Sequence, residues 1–252
     1  MAQTLRQTEI LELAKRRGKV VVEDLAQHFG VTVQTIRRDL TELCEAGRLS
    51  RVYGGAILHS GVSNIGYEER RELNPEAKAR IAQACAAMIP ESASLFLNIG
   101  TTTEAVARAL LRHRELLAVT NNLNVATTLA ANPDCEVIVA GGTLRRSDGG
   151  LVGDATLDVV RQFKVDFAVI GASALDEEGD MLDFDYREVR VARSLIARAR
   201  QTILVADRSK FERSAPVRIA SLEEIDCFVT DAPPPDPVAR LCEGWGTRVV
   251  LG

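Results

Sequence analysis

From residue 94 to residue 251 the chain alternates between short apolar runs of strand length and longer amphipathic runs of helix length, and no other feature restricts its fold as tightly. Strands are expected over 94–98, 116–120, 136–140, 166–171, 202–206, 227–230 and 248–251, with helices over 102–113, 123–131, 156–163, 185–198 and 236–243. Strands separated in this way by helices return in the same direction. The pattern therefore predicts an α/β domain, an open and mostly parallel sheet with helices on both faces. Asn74 and Pro75 open a further helix as cap and first helical residue, and Pro90 closes it.

The first 58 residues follow another pattern. Leu5, Ile10, Leu11, Leu13 and Ala14 recur at helical spacing over 4–17, with Gly18 as the stop. Val20, Val21 and Val22 read as a short strand, followed by a helix over 23–29 that Gly30 closes. Thr32 stands where an N-cap begins a third helix, running to about Ala46 and stopped by Gly47. Two short strands over 48–53 and 56–58 are joined through Gly54-Gly55, a hairpin signal. Three tightly connected helices and a hairpin describe a winged helix-turn-helix over 1–58. Residues 59–73 hold Gly, Ser and charge without periodicity and read as a linker, so that 74–252 form the second domain.

At about 100° per residue, Val33, Ile36, Leu40 and Leu43 share one face of the third helix and should pack on the first two. Gln34, Arg38 and Glu42 fall on the opposite face, with Thr35 beside them and Arg37 on the flank. In a helix-turn-helix this second helix of the motif enters the major groove. Arg can bond guanine in bidentate fashion, Gln can do so with adenine, and a Thr methyl can touch a thymine methyl. Gln34, Thr35 and Arg38 are therefore candidates for base contact. Thr32 starts the helix, while Arg37, Arg51 and Tyr53 are placed for phosphates.

Charge qualifies this picture. The 252 residues carry a net charge of −4, which alone leans away from nucleic acid. Residues 1–57, however, hold nine Lys/Arg and seven Asp/Glu, a balance of +2 that leaves −6 for the remainder. The longest apolar or small run, 167–175, is about half of the ~20 residues of a membrane span. The first ten residues include Arg6 and Glu9 and lack a signal core, so a cytoplasmic location without membrane association is expected. Cys44, Cys85, Cys135, Cys227 and Cys242 are far apart, as are the three histidines, and neither a disulfide framework nor a metal site is expected.

In the second domain, Gly100-Thr101-Thr102-Thr103 follows a strand and opens a helix, where free amides favour an anion and the hydroxyls add hydrogen bonds. Thr120-Asn121-Asn122, Gly141-Gly142, Gly171 and the stretch from Asp207 to Lys210 also follow strands at their C-terminal ends. Open α/β sheets bind ligands at that edge. Lys210 would serve a phosphate, and Asn121, Asp183, Asp185 and Glu188 would serve hydroxyls or protons. Helix capping is an equally good reading of Asp185.

The stretch VEDLAQHFGVTVQTIRRDLTELCEAGRLSRVYGGA resembles the N-terminal signature of the DeoR family of bacterial repressors, in which TIRRDL and a wing ending in GGA recur. Tyr53 departs from the histidine expected in that wing. The turns at Gly100-Thr101-Thr102, Thr120-Asn121-Asn122 and Gly141-Gly142, Glu188 within DFDYREVR, and Asp207 to Lys210 resemble the family's effector domain. The resemblance implies a fold similar to ribose-5-phosphate isomerase and a sensor of phosphorylated sugars or related metabolites. Five stretches, IGTTTEAVARALL, VTNNLNVATTL, SDGGLVGDATLDVVRQF, LDFDYREVR and TDAPPP, resemble one member in particular, and that likeness implies glycerol 3-phosphate as effector.

The implied protein is a dimeric or tetrameric repressor of glycerol and glycerol-3-phosphate metabolism genes. It binds double-stranded operator DNA, needs no cofactor, catalyses nothing, and leaves DNA when the effector binds. The alternative is an aldose–ketose phosphate isomerase carrying a DNA-binding arm, with Glu188 or Asp183 as general base.

Overall fold

A computed structural model describes residues 2–17, 19–46, 48–58, 64 and 66–252. The expected helix stops Gly18 and Gly47 and most of 59–65 lie outside the described residues. The first unit comprises α1 (Ala2–Arg17), β1 (Lys19–Val21), α2 (Val22–Phe29), α3 (Val33–Glu45), β2 (Leu49–Val52) and β3 (Gly55–Leu58). Ile10, Leu11, Ala14, Leu25, Ile36, Leu40 and Leu43 close one core between the three helices. Leu5, expected inside by spacing, is exposed. Gly30 ends α2 at φ 61°, and the Thr32 side chain accepts from the Thr35 amide at the start of α3.

The wing is a three-stranded antiparallel sheet in the order β1-β3-β2. Its turn falls at Tyr53-Gly54, one residue earlier than the expected Gly54-Gly55, with Gly54 at φ 75°. Gly55 already belongs to β3 and pairs with both Val21 and Val52. A Cβ there would overlap the Val20 carbonyl, so the second glycine serves close strand approach and the first serves the turn.

The second unit carries all seven expected strands. They are β4 (Ser94–Leu97), β5 (Leu116–Thr120), β6 (Cys135–Val139), β9 (Val165–Ile170), β12 (Ala199–Val205), β14 (Cys227–Thr230) and β15 (Arg248–Leu251), parallel throughout in the order β15-β14-β12-β9-β4-β5-β6. α5 (Pro75–Ala86) precedes them, and between them run α6 (Thr101–Ala109), α7 (Leu123–Leu129), α8 (Asp154–Val160), α9 (Tyr186–Ile196) and α10 (Asp236–Trp245). Strand alternation divides the core. Leu95, Leu97, Val169 and Val205 pack against residues of α5, α6 and α7, while Phe96, Ala168, Leu204 and Phe228 pack against residues of α8, α9 and α10.

Strand order reverses at β4, with β5 and β6 on one side and β9, β12, β14 and β15 on the other. The ends of β4 and β9 therefore open a crevice, the place where such sheets accept ligands. Two additions at this edge were not legible as strands. A hairpin joins β7 (Thr143–Arg145) to β8 (Gly150–Val152), and β10 (Ala174–Leu175), β11 (Asp180–Asp183) and β13 (Val217–Ser221) form a small antiparallel sheet. Among the described residues no helix is long and apolar enough to cross a membrane.

Residues read as linker contain a helix, α4 (Tyr67–Glu72). It is charged and buries no residue fully, which explains why no apolar periodicity announced it.

The two wing glycines give a direct test. Gly54→Ala should cost about 1 kcal/mol through its positive φ, whereas Gly55→Ala should cost about 3 kcal/mol through overpacking against Val20. Urea unfolding of the two variants checks the order, and equal costs would contradict the sheet register.

Candidate DNA interface and effector site

The outward surface of α3 presents Gln34, Arg37 and Arg38, all exposed, with Arg51 and Tyr53 exposed on the wing. What orients this surface is a contact missed from sequence. Asp39 is 1% exposed and accepts from Arg6 of α1 at 2.5 and 3.1 Å. That hydrogen bond, opposed by partial burial, raises the pKa of the Arg6 guanidinium above its ordinary value. Glu42 does not point outward freely, since it accepts from Gln7 at 2.7 Å and from Arg38 at 3.2 Å. The Thr35 hydroxyl lies 2.9 Å from that of Thr32 within the helix cap, which ties it to the cap and leaves its methyl unengaged by that bond. Arg51 reaches the Arg37 carbonyl at 3.5 Å, bringing wing and α3 together.

At the crevice of the second unit lies a cavity of about 520 Å³, lined by residues including Tyr67, Arg70, Arg145, Asp148, Asp183 and Glu188. Arg145 is its organising cation. It donates to Asp148 at 2.9 and 2.6 Å and meets Asp185 at 3.4 Å and Glu188 at 2.5 Å. Burial opposes its charge, but Asp148 and Glu188 outweigh burial and keep it protonated. Glu188 is pushed up to about 8 by burial and then by the Asp183 carboxylate, with Arg145 opposing. Asp183 is raised as well, chiefly by burial, against hydrogen bonds from the Phe184 amide and the Ser173 hydroxyl.

Beside this acidic cavity is a basic cluster. Lys78 and Lys210 are pushed down to about 8 and about 7, each by burial first. Arg213 is lowered by burial, and its Nη1 is buried without a hydrogen-bond partner. The facing carboxylate is Asp207, which accepts from Ser209 and from the Asn74 side chain at 3.1 Å. Despite burial, Lys210 and these donors hold Asp207 below the usual range. Asn74 thus does not cap α5 with its side chain, as the Asn-Pro pair suggested; it sits at φ 49° and turns that side chain to Asp207. A left-handed non-glycine residue at such a cluster is local strain held by its surroundings.

The structure sorts the remaining sequence candidates. Gly100, at φ 151°, and Thr101 and Thr102 form the start of α6, with the Thr101 hydroxyl 3.5 Å from the Arg70 carbonyl. Thr103 is fully buried and donates to the Asn98 and Gly100 carbonyls, so it holds the turn and has no hydroxyl left for a ligand. Thr120 likewise serves the Leu97 carbonyl and the Asn122 amide. Asn122 caps α7 and donates to Glu104. Asn121 donates to the Leu151 carbonyl while its Oδ1 stays buried and unpaired. Gly141 and Gly142 are exposed and fastened by Thr156, and neither they nor Gly171 line the cavity. Asp185 is the cap of α9, accepting from the Arg187 amide at 2.9 Å. Lys210 belongs to the basic cluster and does not line the cavity.

Two family models match the chain, the DeoR-like helix-turn-helix domain over residues 6–61 and the DeoR C terminal sensor domain over 73–232. The chain belongs to the DeoR family. It is 48% identical over 241 residues to the glycerol-3-phosphate regulon repressor of Escherichia coli (strain K12), covering 96% of each chain. It is 43% identical to the protein of that name from Haemophilus influenzae over 100% of this chain and 98% of the relative, and 36% identical to the HTH-type transcriptional regulator GlpR of Haloferax volcanii. Among solved structures, ribose 5-phosphate isomerase A from Neisseria gonorrhoeae has 18% identity and a TM-score of 0.37, over 56% of this chain and 54% of that one.

In this DeoR-family chain, then, α3 lies in the DNA-binding domain and the crevice in the sensor domain, while α4 falls between the two matched regions. Sequence reading missed Tyr67, Arg70, Lys78, Arg145, Asp148 and Arg213. Arg145 and Asp148 stood in an unassigned loop, and Arg70 in an apparent linker. Their charge was visible, but nothing local showed that these charges turn inward.

The carboxyl pair carries a pH signature. Because the folded pKa of Glu188, about 8, lies above its ordinary value of 4.5, its contribution is lost as pH rises through that window. Glu188→Gln should remove this dependence, so its stability relative to the parent rises between about pH 6 and about pH 8.5 in urea unfolding. A constant difference across that range would contradict the pairing described.

Proposed function

We propose that this protein is a ligand-controlled repressor of glycerol and glycerol-3-phosphate metabolism genes, with a phosphorylated metabolite, glycerol 3-phosphate, as its effector. The observation that carries the choice of regulon is the likeness, over 96% of both chains, to a relative named as the glycerol-3-phosphate regulon repressor. On this reading Gln34 and Arg38 meet base edges, while Thr35 contributes its methyl group. Arg37, Arg51 and Tyr53 meet phosphates, and Thr32 fixes the helix that carries the first three.

In the sensor domain the phosphate goes to the start of α6, at Gly100, Thr101 and Thr102, and to Lys210. The polyol end goes to Asp183 and Glu188. The neighbourhood supports that polarity, since basic side chains gather round Asp207 and carboxylates round Arg145. Arg145 already engages Glu188, and burial with Asp183 raises its pKa, so charge pairing accounts for this carboxyl without a catalytic role. The protein works as a homo-oligomer, a dimer or tetramer, because paired half-sites supply affinity that one nearly neutral reader lacks.

Arg38→Ala should weaken operator binding by roughly 5- to 150-fold, the range of one specific arginine–base contact, Arg37→Ala should weaken it uniformly across sequences and lower the salt slope by about 1, and both should leave effector affinity of the free protein unchanged. Gel-shift titration with calorimetry of glycerol 3-phosphate measures both. Full operator affinity in both variants would remove α3 from the interface, and absence of heat and of DNA release at millimolar effector would overturn the ligand.

A further inference from the structure

Arg70 stands at the junction of everything described above. It lines the acidic cavity through its side chain, and its charge acts on Lys78, Lys210 and Arg213 of the basic cluster. Its own carbonyl accepts from the Lys78 ammonium and lies 3.5 Å from the Thr101 hydroxyl. Yet its guanidinium is poorly satisfied. Among the described residues Nε is buried without a hydrogen-bond partner, Nη2 makes one 3.3 Å contact to Asp148, and the guanidinium carbon lies 6.0 Å from the Tyr67 ring centroid. Asp148 does not depend on that contact, because Arg145 already neutralises it through two shorter hydrogen bonds.

The basic cluster has the same imbalance on a larger scale. Lys78 donates to the Arg70 carbonyl, Asn74 at the start of the same helix α5 donates to Asp207, and Asp207 caps the short helical turn Arg208–Glu212 that carries Lys210 and ends at Arg213, so that Asp207 draws on both Lys78 and Lys210. Two of the four, Arg70 and Arg213, keep a buried N–H unpaired among the described residues. Buried donors of this kind carry a desolvation cost until an acceptor arrives. A phosphate monoester brings up to two negative charges and three acceptor oxygens, which suits this set better than a neutral or singly charged ligand.

We propose that Arg70 of the connector helix α4 is itself an effector-binding residue, completing with Lys78, Lys210 and Arg213 a site for a phosphate dianion, and that its move from Asp148 to the phosphate transmits occupancy to the DNA-binding domain. The proposal rests on the sensor reading above and deepens it. A ligand switches a protein only when it binds two states unequally. Arg70 supplies such an inequality: one guanidinium has two alternative anions, and its backbone lies in the segment between the two matched domains. Tyr67, one turn earlier on α4, donates to Glu104 at 2.9 Å and gives the helix a second attachment to the sensor domain.

The test uses the full-length protein with glycerol 3-phosphate and inorganic phosphate as probes, reading calorimetric affinity and release of fluorescent operator DNA. Arg70→Ala and Arg70→Gln should each bind either probe about tenfold or more weakly, the scale of a lost charge-assisted hydrogen bond, and saturating glycerol 3-phosphate should release little DNA from them. Circular dichroism and urea midpoints show that both variants are folded, and Lys210→Ala serves as the comparison that removes the phosphate partner on the sheet edge. If Lys210→Ala loses binding while both Arg70 variants bind and release DNA like the parent, the Arg70 proposal falls and the sensor reading stands. Weak binding with full release at saturation would overturn the transmission role. If the parent itself shows neither heat nor release, the sensor reading falls.

Discussion

Burying like charges together is expensive, and this fold does so where its strand order reverses. Lys78 and Lys210 are inside a cluster with Arg70 and Arg213, and burial lowers the pKa of both amines. Asp207 is held in place by Asn74 and Ser209 so that it faces Lys210. Asn74 adopts a left-handed backbone to reach it. The rest of the sensor domain is the support for this arrangement. The parallel sheet brings the ends of β4, β9 and β12 to one edge, and the apolar packing on both faces supplies the stability that local repulsion and strain consume.

The neighbouring cavity has the opposite balance. Asp148, Asp183, Asp185 and Glu188 surround Arg145, and the raised pKa of the Asp183 and Glu188 pair keeps a proton among them near neutral pH. A ligand with a charged end and a hydroxyl-bearing end has a complementary surface for each. Between the two surfaces runs α4, attached through Tyr67 to Glu104 and through Arg70 to Asp148. This junction is also where chain from the DNA-binding domain enters the sensor domain, so chemistry at the crevice and the position of α3 share one covalent path.

How much of this was legible in the sequence depends on distance along the chain. The seven parallel strands were readable because each is an apolar run bounded by turns, and the third helix was readable because Ile36, Leu40 and Leu43 repeat at its period. The β7–β8 hairpin and β10 were not, since two- and three-residue strands leave no periodicity to detect, and β11 and β13 carry charged residues, Asp180, Asp183 and Arg218, inside runs too short to announce a strand. At the site, Lys210 was found because it follows a strand at the ligand edge, and Asp183 and Glu188 because they are carboxylates in or beside the family-like stretch DFDYREVR. Thr103, Thr120 and Asn122 shared that signal, but their polar atoms close turns and caps. Arg6–Asp39 and Arg70–Asp148 join residues 33 and 78 positions apart, and only the folded chain reveals such pairs.

In the repressor proposed above, effector occupancy and operator binding are linked through one protein. Linkage demands reciprocity: the factor by which glycerol 3-phosphate weakens operator affinity must equal the factor by which operator weakens glycerol 3-phosphate affinity. Fluorescence anisotropy of labelled operator at increasing effector, paired with calorimetry of effector into free and operator-bound protein, measures both factors. A ligand-controlled repressor gives equal factors, on the order of 5- to 150-fold. Effector affinity unchanged by operator, with operator affinity unchanged by effector, would contradict it.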